Sequence, residues 1–325
     1  MNTSRMFEIG SPSEFNSLAL KTYNYQFQKN VVYREFCTHI GKTPKRVHAV
    51  TDIPFLPIHF FKTKKIYVGE QPPEAVFTSS GTTAMSASHH YVQNLTIYKD
   101  SFRLGFKHFY GNSKDYCILA LLPSYLEREG SSLVYMVQDL ISLSQHPESG
   151  FYLHNVGELA EKLQRLDDLG TKVILLGVSF ALIDLATQYS LTLKNTIVME
   201  TGGMKGRRKE MIRSELHTLL QTGLGVPAIH SEYGMTELLS QAYSTGKGLF
   251  KTPPWMRILV RDTEDPFALQ PAEKSGGINV IDLANIYSCS FIATQDLGKL
   301  HREDTFEILG RFDHSDIRGC NLMVL

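Results

Sequence analysis

The 325-residue chain has little of what marks several common protein classes. Cysteine is scarce: Cys37, Cys117, Cys289 and Cys320 are the full set, and no two form a CxxC pair. That excludes a disulfide-stapled scaffold and a zinc knuckle, and it points to a reducing, cytoplasmic setting. Net charge is also missing, since 33 basic side chains face 33 acidic ones. Proteins that coat nucleic acid work by neutralising phosphates, so no nucleic-acid partner is expected. No apolar run is long enough to span a bilayer; the best, Val173 to Ile183, is interrupted by Gly177 and Ser179. The N-terminus, MNTSRMFEIGSPSEF, has one arginine and no apolar core, unlike a secretory signal. No repeat or low-complexity linker is visible.

What the chain does have is the composition of a globular protein, 42% hydrophobic and 20% charged, and enough length for a substantial core. Ser11-Pro12-Ser13-Glu14 predicts a helix start, with an N-cap, a proline at the first helical position and a glutamate at the third. The helical region runs on to Gly41. PFLPIHFFK, Pro54 to Lys62, is aromatic and proline-broken and reads as a packed loop. Thereafter short apolar strands alternate with helices. Strands are expected at Ala75–Thr78, Tyr116–Leu122, Lys172–Val178, Thr196–Met199 and Val226–His230. Helices are expected from Asn94 to about Tyr110, at Ser131–Ser144, from Asn155 to Gly170, after Val178, and from about Lys205. This pattern predicts an α/β fold with a mostly parallel, helix-covered sheet. After Trp255 the segments RILVR, GGINVID, FIAT and FEILGR predict a β-rich subdomain.

Four motifs sit where chemistry is expected. Thr78-Ser79-Ser80-Gly81-Thr82-Thr83 follows a strand and offers five hydroxyls and a glycine in six residues, a composition suited to wrapping a polyphosphate. It is not a Walker motif, because no Gly-Lys-Ser/Thr follows. Glu232-Tyr233-Gly234-Met235-Thr236-Glu237 also follows a strand, at the carboxyl edge where α/β sheets bind ligands. Its threonine and carboxylate suit a phosphate oxygen and Mg2+; an ordinary helix start is the plainer reading. Thr294-Gln295-Asp296-Leu297-Gly298 puts a carboxylate at a strand end, and Gly310-Arg311-Phe312-Asp313 follows. GVSFA around Ser179 is similar to a hydrolase nucleophile elbow but has alanine where the second glycine belongs.

In this order the four motifs resemble the adenylate-forming (ANL) superfamily. Within it, the chain is most similar to the LuxE-like acyl-protein synthetases, by LPSYLEREGSSLVYM (Leu122 to Met136), ETGGMKGRR (Glu200 to Arg208), TPPWMRILVRD (Thr252 to Asp262) and the His89-His90 pair. The resemblance implies an ATP-dependent ligase that makes an acyl-adenylate from a carboxylic, fatty-type acid with ATP and Mg2+. It places Ser79, Ser80, Gly81, Thr82 and Thr83 on the ATP phosphates, and Gly202, Gly203 and Met204 along the adenine. Tyr233 and Gly234 then lie beside the base, Thr236 on the α-phosphate and Glu237 on the Mg2+, with Asp296 on the ribose and Arg311 on the ribose or its phosphate. The superfamily lysine after the hydroxyl loop is missing; His89 and His90 are the nearest substitutes. The basic cluster Lys205, Arg207, Arg208 and Lys209 reads either as a phosphate contact or as a solvated helix face.

The resemblance also divides the chain into an adenylate-forming core, 1–312, with its α/β part to about 250 and its β-rich part over 251–312, and a tail, 313–325. Against that pattern, the superfamily lid domain, with its lysine, is expected to be absent or vestigial. Family likeness gives Cys320 the acyl-carrying role, before hand-off to a partner such as an acyl reductase. The seven residues from Asp313 to Cys320 span at most about 25 Å when extended, and Arg311 and Arg318 favour a thiolate there. Two alternatives stay open: a ligase that uses coenzyme A or a carrier protein as the thiol, and a non-catalytic subunit that kept the fold. Cys37, Cys117 and Cys289 read as structural. A homo-oligomer is neither required nor excluded.

Overall fold

A computed structural model of the chain describes residues 4–79, 87–122, 130–202 and 211–312. Helices α1 (Pro12–Lys29) and α2 (Val31–His39) open it. Ser11 caps α1 by accepting from the Glu14 amide at 3.3 Å, and Glu14 reaches back to the Gly10 amide at 2.8 Å. The expected single helical region is two helices because Asn30 intervenes. Its Oδ1 caps α2 through the Tyr33 amide at 3.0 Å, while its Nδ2 donates to the Ser288 carbonyl. The proline-broken stretch is more than a loop. It holds β1 (Leu56–Pro57), paired with a distant strand, and a single helical turn, α3 (Phe60–Thr63).

Strands β2 (Ala75–Thr78) and β3 (His89–Val92) form a separate antiparallel hairpin, with Thr78 opposite His89. The alternating unit follows: α4 (Leu95–Tyr110), β4 (Cys117–Leu121), α5 (Ser132–Ser144), β5 (Gly150–Phe151), α6 (Val156–Asp168), β6 (Val173–Val178), α7 (Ser179–Gln188), β7 (Thr196–Thr201), α8 (Arg213–Leu224) and β8 (Ile229–Tyr233). Short strands β9 (Ala242–Ser244) and β10 (Phe250–Lys251) lead to β11 (Met256–Arg261), β12 (Ser275–Asp282), β13 (Phe291–Leu300) and β14 (Phe306–Arg311).

Among the described residues, twelve strands make one sheet in the order β11-β12-β13-β14-β10-β9-β8-β7-β6-β4-β5, with β1 beside β13. β5, β4, β6, β7 and β8 are mutually parallel, and the neighbours from β9 to β11 are antiparallel. The expected β-rich segments are therefore a continuation of the parallel sheet. β4 (CILAL) and β6 (VILLGV) are apolar at every position because both of their faces are covered. Ile118 and Ala120 of β4, with Leu122 just after it, join a core with Tyr98 and Phe102 of α4 and Val137 of α5. Cys117, Leu119 and Leu121 join a second core with Leu163 of α6, Leu185 of α7 and Leu220 of α8.

The last parallel strand lies three residues later than its expected span, because Gly225 turns the chain at φ 65° after α8 before β8 can begin. Glu232 and Tyr233 thus lie inside the strand, and the sharp turn begins at Gly234. The basic helix expected from about Lys205 lies largely outside the described residues; the helical chain they contain starts at Arg213.

Candidate active site

Three stretches converge at the carboxyl edge of the parallel strands: the turn after β8, the middle of β13 (where Asp296 lies, not at the strand end expected) with the end of β14, and the β2–β3 hairpin. Asp296 and Arg311 are cross-strand partners on β13 and β14, which brings Arg311 Nε within 3.3 Å of Asp296 Oδ1. Tyr233, at the end of β8, donates its hydroxyl to Asp296 Oδ2 at 2.8 Å. Burial pushes the Asp296 carboxyl above its ordinary value, while the Tyr233 hydroxyl and the charges of Arg311, Arg261 and Arg213 act in the opposite direction. Three arginines thus act on one buried carboxylate.

Arg213 carried no signal in the sequence and Arg261 was quoted only within TPPWMRILVRD; both are placed by the sheet. Arg261 of β11 crosses beneath β12 to donate to the Ile278 carbonyl (2.7 Å), Asn279 Oδ1 (2.9 Å) and the Thr294 carbonyl (2.6 Å). Burial lowers its pKa to about 10. Gly276 and Gly277 are small for this reason: a Cβ on either would overlap the backbone or guanidinium of Arg261. Arg213, at the start of α8, pairs with buried Glu200 of β7 at 3.4 Å, lies over the Phe250 ring and donates to the Ile308 carbonyl.

The turn after β8 is packed from below. Glu232 is buried and accepts a hydrogen bond from Thr201 at the end of β7; burial raises its pKa to about 7. A Cβ on Gly234 would collide with Glu232 Oε1, so a larger residue there requires this carboxyl to shift. Met235 to Leu238 then closes a hydrogen-bonded turn, so Thr236 and Glu237 do not start a helix. Burial raises the pKa of the Glu237 side chain; a hydrogen bond from Ser88 and the charges of Arg311 and Lys62 oppose that shift. Lys62, exposed on α3, is a cation near Glu237 that the sequence pattern did not single out.

The backbone of the turn is held by residues distant in sequence. His90 Nδ1 lies 2.8 Å from the Thr236 carbonyl, Asn285 Nδ2 donates to the Glu237 carbonyl at 2.6 Å, and Asp282 accepts from the Leu239 and Ser240 amides at 2.8 and 3.0 Å. His90 is fully buried, and burial lowers its pKa to about 4, so it is neutral at physiological pH. The expectation that it supplies cationic help to the hydroxyl loop is therefore corrected. Its partner His89 is half-buried beside Tyr91.

Of the hydroxyl loop, Ser79 is described; its Oγ accepts from the Ser88 amide at 2.9 Å and closes the base of the loop. Ser80, Gly81, Thr82 and Thr83 lie outside the described residues, as do Gly203, Met204, the Lys205–Lys209 cluster, Arg318 and Cys320. Gly202 ends β7 at φ 68° and accepts at its carbonyl from Ser179 Oγ at 2.8 Å. That bond, with another to Glu200, holds Ser179 without the histidine a hydrolase triad requires. Cys37, Cys117 and Cys289 are buried, and desolvation raises each thiol, Cys37 to about 12 and Cys117 to about 11. A groove of about 730 Å³ lies between α7 and α8, on the outer helical layer.

The fold is that of the adenylate-forming ligases. It matches a 2-hydroxyisobutyryl-CoA ligase in an open conformation with 2-HIB-AMP and CoA at TM-score 0.66 and 12% identity, over 94% of this chain and 72% of that one. It also matches ATP-bound MatB from Rhodopseudomonas palustris at TM-score 0.56 and 17% identity, over 75% of this chain and 50% of that one. The matched region thus spans about half the length of the MatB chain. Residues 10–325 match the family described as "Acyl-protein synthetase, LuxE", and the chain belongs to that family. It is accordingly an enzyme of the ligase class. A relative from Vibrio harveyi, a long-chain-fatty-acid–luciferin-component ligase, is 23% identical over 99% of this chain and 90% of its own length.

Proposed function

We propose that the protein activates a carboxylic acid, a fatty acid being the class its relative's name indicates, with ATP and Mg2+, and transfers the acyl group to the thiol of Cys320. The single observation that carries the nucleotide part is the Tyr233–Asp296–Arg311 cluster beside the Thr236–Glu237 turn. A carboxylate has about four lone-pair directions, and those of Asp296 left by Tyr233 and Arg311 suit a vicinal diol such as a ribose. Arg311 and Thr236 would take phosphate oxygens, Tyr233 and Gly202–Met204 would flank the base, and Ser79 to Thr83 would hold the outer phosphates.

Mg2+ keeps most of its waters and binds through one or two carboxylates plus substrate phosphates. Among the described residues no group of three or more His, Cys, Asp or Glu is arranged as a metal site, but Glu237 alone supplies the single carboxylate this mode needs. The ion would lower the charge on the phosphates. The chain's residues then hold the acid and the α-phosphorus in line. The acid's carboxylate oxygen attacks the α-phosphorus and pyrophosphate leaves. The thiolate next attacks the acyl carbonyl, forming a thioester and releasing AMP.

The three described cysteines support Cys320 as carrier, since burial keeps each of their thiols protonated. A partner such as an acyl reductase would then remove the group. Intact-protein mass after incubation with MgATP and a pool of fatty acids tests the reading. A hydroxylamine-labile mass gain is expected in the wild type and none in Cys320→Ser. AMP release without a gain in either protein would move the acyl group to an external thiol such as coenzyme A or a carrier protein. The absence of both AMP release and a mass gain would refute acid activation.

A further inference from the structure

The Thr236–Glu237 turn carries no regular secondary structure of its own, yet it has to hold two side chains in register with the hydroxyl loop. One buried side chain spans both. His90 lies on β3, where the chain emerges from that loop, opposite Phe77 of β2. Its Nδ1 is 2.8 Å from the Thr236 carbonyl and its Nε2 is 2.9 Å from Asn285 Oδ1. Asn285 Nδ2 donates to the Glu237 carbonyl at 2.6 Å, so the side chain that meets Nε2 also reaches the turn. Asn285 itself is fully buried, in the short helical turn between β12 and β13. Phe61 packs edge-on against the imidazole at 5.8 Å, so the ring is fixed in rotation as well as in position.

We propose that His90, supported by Asn285, is the positioning residue that locks the Thr236–Glu237 turn to the hydroxyl-loop hairpin, through Nδ1 on the Thr236 carbonyl. The assignment deepens the proposed adenylation site and rests on it for its catalytic consequence, while its structural content is independent of any reaction. His90 touches no reacting atom in this scheme. A neutral ring carries one N–H, and on Nδ1 it donates to the Thr236 carbonyl, so the ring acts by where it holds the turn. A displacement of about 1 Å in such a group is enough to cost on the order of 10²-fold in rate.

Three substitutions separate this role from simple core packing. His90→Phe keeps a ring against Phe61 and removes both nitrogens; His90→Asn retains an amide near the position of Nδ1, and His90→Gln one near Nε2. Hydrogen exchange of the peptide covering residues 233–241 is read first, in the resting protein. Exchange on the order of tenfold faster is expected in His90→Phe, with protection recovered in His90→Asn and not in His90→Gln. The adenylation rate with MgATP and fatty acid should fall about 10²-fold in His90→Phe and recover in the same order. Equal exchange in all four proteins, or rescue by glutamine as good as by asparagine, overturns the assignment. A wild type without adenylation would count against the proposed reaction alone, since the exchange comparison still decides the role of His90.

Discussion

Glu232 shows what one buried titratable side chain does to the stability of this enzyme. Desolvation lifts it from an ordinary 4.5 to about 7, against the hydrogen bond from Thr201. Between those two values the folded protein holds a proton that the unfolded chain has released, so stability falls as pH rises through the interval. The difference of 2.5 pH units corresponds to about 3 kcal/mol, fully felt above pH 7. Glu232→Gln keeps an acceptor for Thr201 and has no proton to lose. Its urea midpoint should overlay the wild type near pH 4.5 and exceed it near pH 8; parallel profiles would count against a buried, protonated Glu232. His90 works with the opposite sign, because its folded pKa is depressed to about 4 and its contribution is lost as pH falls from 6.5 towards that value. Neither residue was legible in advance as a titrating group. Glu232 was quoted only as the start of a motif, and its burial, near Tyr110 of α4 and Tyr243 of β9, is a product of the fold.

At the scale of elements, the turn after β8 depends on chain segments some 40 to 150 residues away. Asp282, at the end of β12, accepts from the Leu239 and Ser240 amides, from Ser240 Oγ at 2.6 Å and from the Ala284 amide at 3.1 Å. Ser240 Oγ also lies 3.0 Å from Ser101 Oγ, and both accept from Trp255 Nε1. Removing the carboxylate strands several buried donors at once, and each costs about 1–3 kcal/mol when unpaired. Asp282→Ala should therefore lose at least about 3 kcal/mol in denaturant unfolding. A change within ~0.5 kcal/mol would mean the network is dispensable. The capping of α1 by Ser11, the span of α4 behind Asn94 and the glycine-bounded α6 were all legible, since caps and periodicity are local. Asp282 and Asn285 were not, because nothing within a few residues of either says that its partners are at 237–240.

For the molecule as a whole, the sheet joins the parallel unit to the antiparallel strands through β9 and β10, and that junction is what brings Tyr233 of β8 to Asp296 of β13. A ligand that binds only the folded state stabilises it by mass action, by about 2.7 kcal/mol at a hundred times its dissociation constant. MgATP should accordingly raise the melting temperature of the wild type by a few degrees. Asp296→Asn, which keeps size and loses the charge that Arg311, Arg261 and Arg213 face, should abolish most of that rise. An unchanged shift in the variant would remove Asp296 from the nucleotide site.

The sequence by itself determined the alternation of strands and helices, the β-rich end and the order of the four motifs, because these rest on hydrophobic period, caps and short runs of chemically distinctive residues. It also carried the family likeness, since that likeness lies in linear motifs. Only the tertiary structure decided that β2 and β3 form a hairpin outside the main sheet, and that the glycine pair at 276–277 makes room for Arg261. The neutrality of His90 and the protonation of Glu232 belong there too. Pairing register, burial and the meeting of residues far apart in the chain arise from packing in three dimensions, and no local pattern of residues encodes them.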